Sequence, residues 1–583
     1  MESNTNYQPI SESASIRHPE SLTERIWKYK FHYVIVIPAF IFLFAFKIVP
    51  FLQGILLSLK DYKVFQGLFG SPFVGLAHYA SLFRDAAFGR VLGNTVLYNV
   101  LYLGLTFVVG LALAVGLSSI ASGKLRGAVT TALLAPYVLP TVVLGSIAMW
   151  LVSPTSSPFQ LTESLWLAET WSFRLVLLTV ELVKTAGIPA VIGLAAVASA
   201  HAARRAGGGA ADSEAAAVAD SPGFFRLNVW PAVKAVLAVT LLQSAFLLTS
   251  NAELVYMFLN PLVNAETVDY FIFRNGFMNA RFDLAAAAWY IQYALQLALA
   301  AAAYFLVRGK LLNALFHQAA EWSPLRGGNR AAGLAAGIVC SAAALLVLYL
   351  SLVHPFVARS ESGYPLGELL PAGNLFLYAV LFAAASIFHL AFVLTLSYPM
   401  TVKRLPGGTL YRLFLIAALL TGSGTIHEYL FYRNLEMVNT VLPVVFHGFF
   451  GIAAAFALKG WFNGKYADLK LQAEAEGRGE LRAFFMLYIP KVWKPLLALG
   501  GLQWIMLWNS YMPSLIYISD PSQQAPMLQW LSVVRHAESL GIAAGDPVLF
   551  RAGALLSLPP LILFLLLRKW LTAALWTGSI RKP

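Results

Sequence analysis

Asn251, Glu253 and Tyr256 lie within one long apolar run of this 583-residue chain, and Trp508, Asn509 and Tyr511 lie at the corresponding depth of another. A charge inside such a run costs roughly 2.5–3.5 kcal/mol to insert into a membrane, so each one raises a functional reading. The chemistry open to these residues is recognition. Aromatic faces stack on sugar rings, while Asn and Glu hydrogen-bond hydroxyls. They are candidates for lining a path for a carbohydrate. Hydrogen bonding between packed helices would explain the same residues, and the sequence leaves both readings open. Glu181 and Lys184, three apart on one helix face, are expected to neutralise each other rather than relay protons. His389 and His447 have no second ligand at metal spacing and read as packing histidines. Nothing suggests a catalytic triad or a metal centre. Gly123-Lys124 and Gly309-Lys310 lack the following Ser or Thr and the upstream Gly of a phosphate-binding loop. The chain is therefore not expected to hydrolyse ATP through such a loop.

The elements that carry these residues must be membrane spans. The chain is 58% hydrophobic and only 12% charged, with a mean hydropathy of +0.68. A soluble protein carries about 25% charged residues. Too little polar material is present to solvate a surface of this size. The net charge of +13 would raise nucleic-acid binding on a soluble chain, but here the positives fall in short loops at span ends and set orientation. The single cysteine, Cys340, sits in an apolar run and reads as a small core residue. The first apolar run is too long for a cleavable signal peptide and reads as an uncleaved span.

Runs of about 20 apolar residues, the length a helix needs to cross the hydrocarbon core, occur near 33–57, 91–117, 128–151, 175–199, 232–259 and 284–307. A second set lies near 332–354, 374–399, 410–430, 439–459, 495–518 and 552–568. The expectation is an all-α membrane protein of about twelve spans, six per half. Arg25, Lys28 and Lys30, then Lys124 and Arg126, Arg204 and Arg205, Arg308 and Lys310, and Lys403 and Arg404 mark alternate loops. Both termini are expected to face the cytoplasm. Six is even, so the halves enter the membrane in the same sense, as parallel repeats. The chain divides into a polar tail (1–24), a first half (25–310), a cytoplasmic linker (311–331) and a second half (332–583).

The halves share a phrase. Phe224, Phe225, Leu227, Lys234, Leu237, Ala238, Leu242 and Gln243 recur as Phe484, Phe485, Leu487, Lys494, Leu497, Ala498, Leu502 and Gln503, each 260 positions on. Each copy opens in a polar cytoplasmic loop and runs into an apolar segment. The second copy holds Glu476-Gly477, then Phe484, Leu487 and Ile489-Pro490. The first holds Glu214-Ala215-Ala216, Asp220, Phe225 and Pro231, with three residues fewer between its acidic residue and its proline. Such a loop, a short helix leading through a turn and a proline into a span, is a rigid knob that can sit in a groove of a cytoplasmic motor.

These two loops resemble the EAA loop of binding-protein-dependent ABC importers. The wider chain is similar to the paired permeases of the complex-oligosaccharide, aldouronate type. In the first half the likeness is carried by Asp61-Tyr62-Lys63 through Gly67, Arg90 through Thr95, Asn260-Pro261-Leu262-Val263 and Phe273-Arg274-Asn275-Gly276. In the second half it is carried by Ser423-Gly424-Thr425-Ile426, Arg433-Asn434-Leu435, Lys459-Gly460-Trp461-Phe462 and Trp508-Asn509-Ser510. The departure is the fusion, since that family keeps its two permeases as separate chains.

The resemblance implies a type I ABC importer fold and a multi-pass protein of the bacterial plasma membrane. It implies two cytoplasmic ABC ATPase subunits, which would hold the ATP and magnesium, and an extracytoplasmic solute-binding protein. The ATPase-coupling residues would be Glu214, Ala215, Ala216, Asp220, Phe225, Pro231, Glu476, Gly477, Phe484 and Pro490. The cargo would be a carbohydrate, with no nucleic acid involved. A twelve-span secondary transporter and a scaffold that lost transport are the rival readings.

Overall fold

The computed structural model describes residues 21–157, 164–207, 224–259, 263–308, 311, 330–360, 362–402, 405–420, 425–463, 472, 476, 482 and 484–571. Among these the protein is helical throughout, with a lone antiparallel bridge between Lys60 and Phe73. Among the described residues eight helices are long and apolar enough to cross a membrane, nine if the pair Gly123–Val138 and Thr141–Leu151, bent by 92°, is one span. Side chains such as Val108, Phe376 and Leu566 point their apolar bulk outward, 60%, 73% and 70% exposed. An aqueous surface would not tolerate that; lipid does.

All twelve apolar runs form helix, and their interruptions repeat. In each half the first, second and sixth runs are continuous and the fourth and fifth are broken, and in the first half the third is broken too. The third run breaks at Leu139-Pro140, the fourth at Ala186, and the fifth between Phe246 and Ala252. In the second half the fourth run breaks between Phe446 and Ile452, and the fifth between Asn509 and Met512; residues 421–424 of its third run lie outside the described residues. The short helices after the fifth-run breaks, Ala252–Phe258 and Met512–Tyr517, start 260 residues apart. Apolar composition shows where spans lie but not where they break, which is why the twelve runs outnumber the uninterrupted helices.

Prolines account for a second repeated feature. Each fifth run begins with a π turn, Phe225–Val229 or Phe484–Tyr488. The next helix then carries a proline at its second position, Pro231 or Pro490. A proline ring lacks an N–H and collides with the carbonyl four residues back, so the preceding turn widens. The same pairing occurs in both first runs, with Phe44–Ile48 before Pro50 and Tyr349–Val353 before Pro355.

The two first spans are exchanged. Up to Ile48, span Lys30–Ser58 packs against the second half: Phe40 meets Phe414 at 4.6 Å, Phe46 meets Phe446 at 5.3 Å, and Lys47 Nζ lies 3.4 Å from Glu428 Oε1, while Phe51 beyond it packs on Trp289 and Tyr293 of its own half. Helix Arg330–Leu348, the first span of the second half, packs against Ala86–Ser119 and Gly123–Val138 of the first, where Cys340 joins Ala114, Leu117 and Ile120. The sequence division at 311–331 therefore separates two repeats that are interlocked rather than side by side.

Close helix approach inside each half depends on small residues. A Cβ built on Gly193 would stand 2.8 Å from Ala114 Cβ and 2.9 Å from Val236 Cγ2, whereas one on Gly127 meets nothing within 4 Å. Gly193→Val is expected to destabilise the protein by about 2–3 kcal/mol. Thermal unfolding in detergent checks this, with Gly127→Val as the control that stays near the parent.

Candidate functional site: a polar seam between the halves

The broken runs converge. Glu253, in the first turn of Ala252–Phe258, reaches across to the break in the fifth run of the other half. Its Oε1 accepts from Ser510 Oγ at 2.6 Å and from the Tyr511 and Met512 N–H groups at 3.1 and 3.4 Å. Tyr511 returns a bond from its hydroxyl to the Glu253 carbonyl at 2.7 Å. The carboxylate thus caps the first N–H groups of Met512–Tyr517, which no carbonyl within that helix can satisfy. Asn251 caps its own short helix, its Oδ1 accepting from the Leu254 N–H at 3.2 Å.

The third and fourth runs join at the same place. Asn509 Nδ2 donates to the carbonyl of Val138, at the break of the first half's third run, at 2.8 Å. Lys184, beside the break in the fourth run, donates to Thr141 Oγ1 and is attracted electrostatically by Glu253. Glu181 accepts from the Tyr98 hydroxyl. The expected neutralisation of Glu181 by Lys184 is thus supplemented from neighbouring helices, because hydroxyls on facing helices lie within reach of both.

Trp508 stacks on Trp504 at 4.9 Å and donates from its indole N–H to the Leu556 carbonyl at 2.9 Å. Its other edge borders an apolar cleft of about 560 Å³ beside Leu370, Leu375 and Pro559. Tyr256 is half-buried. The Arg535 guanidinium, from the second half, lies 4.6 Å from the Tyr256 ring centre and donates to the Tyr256 carbonyl at 3.0 Å. Asn251, Glu253, Tyr256, Trp508, Asn509 and Tyr511 are therefore brought to one seam. All but Tyr256 and Glu253 are buried; Glu253, Tyr256, Asn509 and Tyr511 bond across the two halves, while Asn251 and Trp508 bond within their own.

The coupling candidates lie at the other end of the fifth runs. Phe225 is exposed in its π turn and Pro231 follows it. That π turn is tied to helix Gly187–Gly207 by a bond of 2.7 Å between His201 Nε2 and Asn228 Oδ1. In the second copy Phe484 is buried against Tyr398, ring centres 4.5 Å apart, while Pro490 and Glu476 are exposed. Glu214, Ala215, Ala216, Asp220 and Gly477 lie outside the described residues. The recurring residues keep similar surroundings: Ala238 and Ala498 are both fully buried, and Lys234 and Lys494 each stand over a tryptophan, Trp230 and Trp493. The π turns and their prolines are 259 residues apart, one fewer than the shared phrase, so the repeat slips by one residue there.

Sequence reasoning passed over Lys47 and Glu428, single charges of opposite sign in two different apolar runs; that opposition was the available signal. Ser510 and Thr141 gave none, since hydroxyls are common in spans. His389 packs as expected, its Nδ1 3.0 Å from the Gly448 carbonyl.

Two interlocked, parallel-patterned repeats, broken inner helices and a polar seam define a multi-pass membrane permease. No family model matches the chain. It is 28% identical over 274 residues to the polygalacturonan/rhamnogalacturonan transport system permease protein YteP of Bacillus subtilis, covering 44% of this chain and 81% of that protein. It is 25% identical over 272 residues to protein LplB of the same organism, covering 44% and 82%. A crystal structure of a bacterial ABC transporter that imports the acidic polysaccharide alginate aligns with a TM-score of 0.41 at 22% identity, covering 50% of this chain and 99% of that one. Each comparison covers about half of this chain and most of a permease, so the chain is similar to the permeases of ABC importers and carries two permease-like repeats in one polypeptide.

Proposed function

We propose that this chain forms the membrane path of an ATP-driven carbohydrate importer and is worked from the cytoplasm through two coupling segments. The observation that carries the reading is mechanical. Helix Ile489–Asn509 runs unbroken from the second coupling segment to the seam. At 1.5 Å per residue it is a rod of about 30 Å. A pull at Phe484 and Pro490 is delivered at Asn509, Ser510 and Tyr511, where Glu253 holds the opposite half.

In this reading two ABC ATPase subunits dock on the cytoplasmic segments and hold the ATP and magnesium, and the chain itself breaks no bond. A solute-binding protein delivers cargo from outside. Both termini lie in the cytoplasm, with residues 25–310 and 332–583 as the two permease halves. Separation of the halves breaks the Glu253 bonds and exposes Tyr256, Trp508, Asn509 and Tyr511 to the cargo. Their aromatic faces and amide suit a sugar, and the name of YteP supports an oligosaccharide.

The test is reconstitution of the chain, with the ATPase that co-purifies with it, in proteoliposomes supplied with labelled oligogalacturonate and a candidate binding protein. ATP-dependent uptake only when the ATPase is present is the expected result. Replacing Glu476 and Gly477 together is expected to lower uptake per ATP hydrolysed by about tenfold. Uptake driven by an ion gradient without any ATPase would instead establish a secondary transporter. Indifference to the Glu476 and Gly477 replacements would remove the coupling role from this loop.

A further inference from the structure

The two coupling segments are anchored differently. In the first, the π turn is held by His201 and Asn228, so its bond stays within its own half. In the second, Phe484 opens the π turn and packs on Tyr398 with ring centres 4.5 Å apart. Tyr398 lies at the end of helix Ala372–Ser397 and stacks almost flat on His32, 4.7 Å away at 6°. His32 is the third residue of helix Lys30–Leu43, which belongs to the first half. All three side chains are buried, with exposures of 0%, 3% and 3% for His32, Tyr398 and Phe484.

Beyond His32 the same helix sends Val36, Ala39 and Leu43 into the core formed with Val393 and Leu396, and the π turn that follows it brings Lys47 to Glu428. We infer that His32 and Tyr398 are positioning residues that carry motion of the second coupling segment into the exchanged first span of the opposite half. A buried flat ring stack resists compression because its rings are already at contact distance and surrounded by close-packed neighbours. Movement of Phe484 therefore displaces Tyr398 and His32 together. One coupling segment thus acts on two elements, its own fifth-run helix and the other half's first span. The inference rests on the ATP-driven reading above.

The test needs no knowledge of the cargo. Val534, half-buried beside Arg535 at the seam, is changed to cysteine in a Cys340→Ser background as a reporter for a membrane-impermeant maleimide. The assembled complex with its ATPase is labelled with and without ATP and vanadate, and ATP hydrolysis is measured in parallel. Tyr398→Leu is expected to reduce the nucleotide-driven change in labelling rate about fivefold while the hydrolysis rate holds. His32→Leu is expected to do the same, and the two together no more than either alone. Tyr398→Phe, which keeps the ring face, is expected to restore the change. A Leu variant that keeps the full labelling change would overturn the relay. So would failure of Tyr398→Phe to restore it, which remains readable if a Leu variant does not assemble. Loss of hydrolysis and labelling in proportion would mark a merely structural role and overturn it too. Absence of any nucleotide effect in the parent complex is the separate result that removes the ATP-driven reading itself.

Discussion

Replacing Lys47 with methionine is expected to cost about 3–5 kcal/mol of stability, the usual loss when one partner of a buried ion pair is removed. Lys47 Nζ lies 3.4 Å from Glu428 Oε1, and the two side chains are only 11% and 10% exposed. Lys47 stands on the exchanged first span and Glu428 on a helix of the second half, so the pair fastens one repeat to the other. Without Lys47 a carboxylate remains among His427, Tyr432 and apolar neighbours, with the hydration of neither water nor a cation. Removing both charges, by Lys47→Met with Glu428→Leu, is expected to recover most of the loss, because replacing a whole buried pair with apolar groups is commonly close to neutral. Thermal unfolding of the purified protein in detergent measures all three variants. Equal stability for the single and double variants would mean the pair does not couple the halves.

Glu253→Ala is the second large effect. One carboxylate oxygen serves Ser510 Oγ and two backbone N–H groups across the seam. Each buried donor left without an acceptor costs about 1–3 kcal/mol; the Ser510 hydroxyl can turn to another acceptor but the two N–H groups cannot, so a total of about 2–6 kcal/mol is expected. The loss falls on the contact that holds the halves shut, and ATP-driven uptake should drop more than tenfold. Glu253→Gln keeps an acceptor oxygen in place and should lose no more than about 1 kcal/mol of stability. Uptake by that variant then reports whether the charge serves Lys184 and transport, or only the geometry of the Met512–Tyr517 terminus. Wild-type stability and uptake in Glu253→Ala would show that the seam does not close through this residue.

Much of the site was legible because insertion into lipid penalises single polar residues wherever they fall. Glu253, Trp508, Asn509 and Tyr511 stood out against their apolar runs, and the structure gathers them at one place. What they do there was not legible. Stacking and hydrogen bonding to a sugar call for the same residue types as stacking and hydrogen bonding to another helix. In this conformation Trp508 holds the Leu556 carbonyl and Asn509 holds the Val138 carbonyl. The repeated phrase was legible through Phe484 and Pro490, but the burial of Phe484 beneath Tyr398, against the exposure of Phe225, was not. Both belong to the same repeated word, and only their neighbours differ.

The amino-acid order by itself determined the membrane environment, the twelve apolar runs and the repetition of two halves, because the free energy of burying a segment in hydrocarbon is set by its own composition and length. It also determined the four π turns that precede Pro50, Pro231, Pro355 and Pro490, since a proline acts on the carbonyl four residues before it. The tertiary structure decided the exchange of the two first spans, the pairing of Lys47 with Glu428 and the closure of the seam by Glu253. Within lipid every apolar face is equally content, so hydropathy cannot choose a helix's neighbour. Shape, small residues such as Gly193 and the few polar groups in reach make that choice, and they do so only once the helices stand side by side.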